Sequence, residues 1–132
     1  MEESIRWAVG LFVSLIVGHF VVGLFLSRLR RKLGLGEKPR THDIAIARVP
    51  PWLTGAIERL FFTVLVGSNV SGVPTAMIGW LALKLATNWN RPGSPDVSTT
   101  RAFALSALLA GLLSMLFALW GGFICAGQRG AA

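Results

Sequence analysis

The chain has 132 residues, of which 53% are hydrophobic and only 14% charged, well below the roughly 25% charge of ordinary soluble domains. It carries a net charge of +7 and a single cysteine. The length leaves no room for a second soluble domain beside long apolar segments, and the lone Cys125 excludes an intrachain disulfide.

Three blocks without a formal charge dominate the sequence: Trp7–Ser27, Leu60–Leu83 and Ala102–Gln128, of 21, 24 and 27 residues. About 20 apolar residues are enough for a helix to cross a hydrocarbon core roughly 30 Å thick. The pattern predicts an all-α, polytopic integral membrane protein. Three transmembrane helices would form one compact membrane domain over residues 1–132, packed through small residues.

The first span is predicted at about 5–27. Its leader, Met1–Ser4, is acidic rather than basic, so a retained helix is expected rather than a signal peptide. The helix should continue to Lys32 and break at Leu33-Gly34-Leu35-Gly36, where two glycines weaken it. Gly34-Leu35-Gly36-Glu37-Lys38 lacks the spacing of a phosphate loop and reads as a turn.

The segment 28–50 carries Arg28, Arg30, Arg31, Lys32, Lys38, Arg40 and Arg48 against Glu37 and Asp43. Such a basic loop marks a cytoplasmic face with anionic headgroups rather than a nucleic-acid site. Pro39 should sit in irregular chain, and Ile44–Ala47 is short enough for an interfacial segment.

Pro50-Pro51 suits a helix start. The pairs Trp52/Leu53, Ala56/Ile57 and Leu60/Phe61 recur every four residues, an amphipathic entry to a second span. That span is predicted at 52–88, kinked near 70–74, because Pro74 cannot donate to the Val70 carbonyl. Unbroken from Pro51 to Asn88, it would measure roughly 57 Å. A turn-rich outside loop follows at 89–100, with Pro92, Gly93 and Pro95. Ser98, Thr99 or Thr100 would then cap a third span at 101–126. The positive-inside rule puts the N-terminus outside and the C-terminus in the cytoplasm, with Lys84, Arg91 and Arg101 as contrary charges.

Small residues recur at every fourth position in all three spans. Span one has Gly10, Ser14 and Gly18. Span two has Thr63, Gly67, Ser71, Thr75 and Gly79, with Ser68, Gly72 and Ala76 alongside. Span three has Ala102, Ser106, Ala110, Ser114, Ala118, Gly122 and Ala126, with Ala107 and Gly111 beside them. Such GxxxG-like rows let helix backbones approach in lipid, where packing drives association. They fit both an intramolecular bundle and a homo-oligomer. Leu109, Leu112, Leu113, Leu116 and Phe117 are expected to face lipid.

Polar residues at membrane depth are candidate sites. His19, Asn69, Ser71 and Thr75 form a candidate polar path, since carbonyls freed near a broken helix can hold ions. Arg28, Arg30, Arg31, Lys32 and Arg59 are candidate headgroup ligands. Arg59 and Lys84 are expected to snorkel at opposite faces, and Glu58 to meet a basic residue of the first loop. Asn69-Val70-Ser71 matches a glycosylation sequon but lies too deep for use. Cys125 reads as a packing residue or a palmitoylation site near the cytoplasmic face.

No metal cluster, carboxylate pair or activated nucleophile is evident in the sequence, and no cofactor or nucleic-acid partner is expected. The first functional reading is a non-enzymatic membrane protein acting through helix–helix association, as an accessory, assembly or scaffold subunit. It would be a homo-oligomer or part of a larger complex in the cell (inner) membrane. The alternatives are a subunit of a small oligomeric transporter or pore, including a holin-like one, and a lipid-headgroup-modifying enzyme built on Glu58 and Arg59.

Overall fold

The computed structural model describes residues 1–34, 50–89 and 97–127, and the described elements are all helical. They are α1 (Glu2–Phe12), a π-helical turn (Val13–Val17), α2 (Gly18–Lys32), α3 (Pro51–Gly67), α4 (Val73–Trp89) and α5 (Val97–Ala126). The expectations for Pro39, Ile44–Ala47, Pro92, Gly93 and Pro95 fall outside the described residues.

Helix α1, the π-turn and α2 form one continuous rod, Glu2–Lys32, of 31 residues. The rod and α5 are each long and apolar enough to cross a membrane. The π-turn holds one residue more than an α-helical turn and shifts the face the rod presents beyond it. Ser14 lies in this turn and is fully buried.

The predicted second span is two helices rather than one. Glu58 and Lys84 would stand ~39 Å apart in a continuous helix at 1.5 Å per residue, yet their side chains meet at 2.9 Å. The chain therefore reverses between them, and α3 and α4 are antiparallel arms of a hairpin. Each arm has 17 residues, or roughly 25 Å, in place of the single 57 Å rod expected.

The reversal is built from local chemistry. The Val70 amide donates to the Leu65 carbonyl at 3.1 Å and the Asn69 amide to Val66 at 3.0 Å, the paired bonds of a Schellman cap. Asn69 takes the left-handed position of that cap at φ 58°, and Gly72 follows at φ 79°. Asparagine tolerates this region better than other non-glycine residues because its short amide can bond locally.

Pro74 then falls in the first turn of α4, where a missing amide donor costs nothing. It helps start a helix and does not kink one. Because a β-branched side chain is strained at positive φ, Asn69→Val should lower stability by about 1–2 kcal/mol and Asn69→Gly should be neutral or stabilising. Thermal unfolding of both variants would check this, and equal losses in the two would contradict the cap.

Helix α5 is the hub. Arg59, Thr63 and Gly67 of α3 meet Ser114, Ala118 and Cys125 of α5 in ascending order, so these helices run parallel. Gly10, Gly18 and Arg30 meet Gly121, Phe117 and Phe103 in descending order, so the first rod is antiparallel to α5. Gly111 meets Leu81, and Val73 shares a groove with Leu119, which makes α4 antiparallel as well. The order is up-down-up-down.

The main hydrophobic core lies where α3, α4 and α5 converge, around Phe62, Val66, Val73, Met77, Leu81, Met115 and Ala118. One pole of the bundle holds Glu2, the Ser68–Gly72 turn and Gly127. The other holds Lys32, Pro50, Trp89 and Ser98. Glu2 and Gly127 thus lie at one pole, with Gly127 beside Arg6. Lys84 and Arg101, contrary to the three-span topology, fall at the same pole as Arg28 to Lys32. Ser98, Thr99 and Thr100 lie inside the first turn of α5 rather than ahead of it.

Candidate functional site

The parallel docking of α3 on α5 brings charged and hydroxyl side chains into the bundle interior. Glu58 and Arg59 are 6% and 3% exposed. Successive residues on a helix point about 100° apart, so the two side chains face different neighbours. Glu58 faces α4, where Lys84 Nζ donates to Oε2 at 3.0 Å and also lies 2.9 Å from Oε1. Arg59 faces α5 and the first rod. Its Nη1 donates to Ser114 Oγ at 3.1 Å, and its stem passes the place where a Cβ on Gly18 would stand, 3.2 Å away.

One helical turn further along α3, three elements share a hydroxyl relay. Thr63 Oγ1 donates to the Ala118 carbonyl at 3.3 Å and lies 2.6 Å from Ser14 Oγ. Each hydroxyl has one proton. With the Thr63 proton directed to Ala118, Ser14 is the donor to Thr63. The relay satisfies both buried hydroxyls and ties the π-turn to α3 and α5.

These contacts revise several expected roles. Arg59 does not snorkel outward but is buried against Ser114. Glu58 pairs with Lys84 of the same chain, at the same pole, rather than with Arg28, Arg30, Arg31 or Lys32. Arg28, Arg31 and Lys32 are exposed at the end of α2, while the Arg30 guanidinium stacks 5.3 Å from the Phe103 ring centroid.

The candidate polar path is not assembled. His19 is exposed on the first rod, edge-on to Phe20 at 5.5 Å. Asn69, Ser71 and Thr75 are exposed at the hairpin tip and in the first turn of α4, near the opposite pole from the charged cluster. A shallow groove lies there between Val66, Val73, Pro74, Leu119 and Phe123, and Asn69 carries the one side-chain amide among its lining residues.

Several glycines lie directly against a neighbouring helix. A Cβ on Gly10 would overlap the Gly121 carbonyl and Cys125 Sγ, and one on Gly122 would overlap Val66. Cβ atoms on Gly67 and Gly111 would lie 2.8 Å from Cys125 and from Leu81. Ser106 and Ala110 are buried, with Ser106 Oγ donating to the Phe103 carbonyl at 2.8 Å. Gly72 differs, since it turns the chain in the open and nothing lies within 4 Å of its Cβ position.

Leu109, Leu112 and Leu116 are exposed, Leu113 is half-buried, and Phe117 is buried beside Gly18. Cys125 is 3% exposed against Trp7 and Gly10, at the pole opposite the basic segment, so it is not an accessible thiol near that segment.

Sequence reasoning named Glu58, Arg59 and Lys84 but placed them at two ends, and it missed Gly121 because that residue lies one position off the four-residue row. A signal for the hairpin was present: a helix-stopping Asn69, then Gly72, then Pro74 at a helix start. Comparison with protein-family models, curated proteins and solved structures found no match.

Proposed function

We propose that the chain is a multi-pass membrane protein that acts through helix–helix association, as an accessory, assembly or scaffold subunit. The observation that carries this reading is the inversion of polarity across the bundle. Phe20, Ile78, Trp120, Leu116, Trp52 and Phe123 are each about 59–70% exposed, while Ser14, Glu58, Arg59, Thr63, Ser106 and Ser114 are buried. Apolar patches of this extent on a soluble monomer would drive association, whereas in lipid they are the solvated surface.

Four helices, not three, would cross the bilayer, with α3 and α4 as short arms. An even number of crossings returns the C-terminus to the side of the N-terminus. Among the described residues, Arg28, Arg30, Arg31, Lys32, Arg59, Lys84 and Arg101 lie toward one pole with Glu58, for a net charge of +6. The other pole, with Glu2, Glu3 and Arg6, carries a net charge of −1. The positive-inside rule assigns the basic pole to the cytoplasm of a cell (inner) membrane.

The surface for association is the outer face of α5, where Leu105, Leu109, Leu112 and Leu116 lie exposed in a row. On α5 the small residues Ser106, Ala110, Gly111, Ser114, Ala118 and Gly122 are buried, so a homo-oligomer or partner would meet this leucine face. Reporter fusions at both termini should report the non-cytoplasmic side, and mild-detergent purification should retain a second copy or partner. A cytoplasmic reporter at either end, or a strictly monomeric, partnerless protein, would contradict the reading.

A further inference from the structure

The geometry points to a binding site for a phosphate-class oxyanion at Arg59, entered from the basic pole over Gly55. Glu58 offers one negative charge, and Lys84 Nζ donates to its Oε2, while the buried Oε1 has no hydrogen-bond partner. Among the described residues Arg59 has a single hydrogen bond, to the neutral Ser114 hydroxyl. Its Nε is buried and has no partner. Glu58, Arg59 and Lys84 together carry a net positive charge in the bundle interior. The only other carboxylates among the described residues, Glu2 and Glu3, are at the far pole. A buried guanidinium is costly when its charge and donors are unmatched, and its planar fork suits two oxygens of one phosphate group.

Access is set by a glycine. Nη1 and Nη2 lie 3.4 and 4.0 Å from the position a Cβ on Gly55 would take. Gly55 is only half-buried, one turn nearer the basic pole than Arg59. Gly55 itself places no side chain against the guanidinium. Arg30, a second arginine whose buried Nε lacks a partner, stands on α2 toward the same pole. Arg28, Arg31 and Lys32 add a surface field that draws anions there. The ligand is either free phosphate or the phosphodiester of an anionic lipid, since the two present the same oxygens. The site stands on this charge geometry and not on whether the chain binds a partner helix.

The test uses the full chain in nanodiscs of neutral phosphatidylcholine, titrated with inorganic phosphate. A parallel set in mixed phosphatidylcholine and phosphatidylglycerol is examined by native mass spectrometry for retained lipid. One phosphate bound per chain in neutral nanodiscs identifies the free anion, and one retained phosphatidylglycerol identifies the headgroup.

In either case Gly55→Leu, which keeps every charge, should weaken binding at least tenfold while the melting temperature is held or raised. Arg59→Lys should weaken it severalfold, and Arg31→Ala, on the exposed surface, less than twofold. The inference is overturned if neither probe is retained at one per chain. It is equally overturned if Gly55→Leu binds like the parent chain, or if Arg31→Ala loses as much as Gly55→Leu.

Discussion

Replacing Lys84 with methionine is expected to destabilise the bundle by about 3 kcal/mol, because it strands a buried carboxylate. Glu58 is 6% exposed and its hydrogen-bonded partner among the described residues is Lys84. Arg59, next in sequence, offsets part of the charge but directs its donor to Ser114.

The converse change should be milder. Lys84 is 32% exposed and can swing its ammonium to water or headgroups, so Glu58→Gln should cost about 1 kcal/mol, the worth of an ordinary hydrogen bond. In the Glu58→Gln background, Lys84→Met should fall to about 1 kcal/mol, since no charge is left stranded. Unfolding of the four proteins by SDS titration from mild detergent, followed by helical circular dichroism, measures the cycle. Costs for Lys84→Met that are equal in both backgrounds would mean that the pair is not formed. That result would also remove the main support for the α3–α4 hairpin, because a continuous helix cannot bring these side chains together.

The second large effect is expected at the crossing of α1 and α5. A Cβ on Gly121 would stand 2.5 Å from the Gly10 carbonyl oxygen and 2.7 Å from Ser14 Cβ. The obstacle is helix backbone, which cannot swing aside, so accommodation requires the two helices to separate. Gly121→Val should therefore cost about 3 kcal/mol, the upper part of the usual range for overpacking. Separation would also draw Ser14 away from Thr63 and break the hydroxyl relay.

Gly23 is the internal control. It is helical and exposed, with nothing within 4 Å of its Cβ position, so Gly23→Ala should stabilise by up to about 1 kcal/mol through helix propensity. Gly111 lies between these cases. Its Cβ would meet only the Leu81 Cδ2 methyl at 2.8 Å, the movable end of a side chain, and Gly111→Ala should change stability little. Thermal melts of the three variants in one detergent give the order directly. A Gly121→Val protein as stable as the parent would show that α1 and α5 do not approach this closely.

The same glycines separate what could be read from the chain and what could not. Every helix was legible as a helix, because uncharged runs and four-residue periodicity are local properties. The close approaches at Gly10, Gly18 and Gly122 lie on rows recognisable by spacing alone. Their partners were not legible. Gly121 is one position off its row and becomes important because its Cβ position meets the Gly10 carbonyl oxygen and Ser14 Cβ across the α1–α5 crossing. Phe117 looks like a lipid-facing residue until Gly18 provides a recess for it.

The middle of the chain was misread for a related reason. A proline four residues beyond Val70 is compatible with a kinked helix or with the start of a new one. Asn69 decides between them by adopting a left-handed conformation, which costs little and releases a Schellman cap. Once the chain reverses there, Lys84 moves from one end of the molecule to the other.

By itself, then, the amino-acid sequence determined the helical class, the apolar lengths and the concentration of positive charge near the end of the first helix. Each of these follows from composition and from contacts a few residues apart. Only the tertiary structure decided how many helices the described residues form, that Glu2 and Gly127 share a pole, and that Glu58 is bound to Lys84 while Arg59 donates to Ser114. Those facts depend on one backbone reversal and on distances between residues 26 to more than 100 positions apart, which no local pattern encodes.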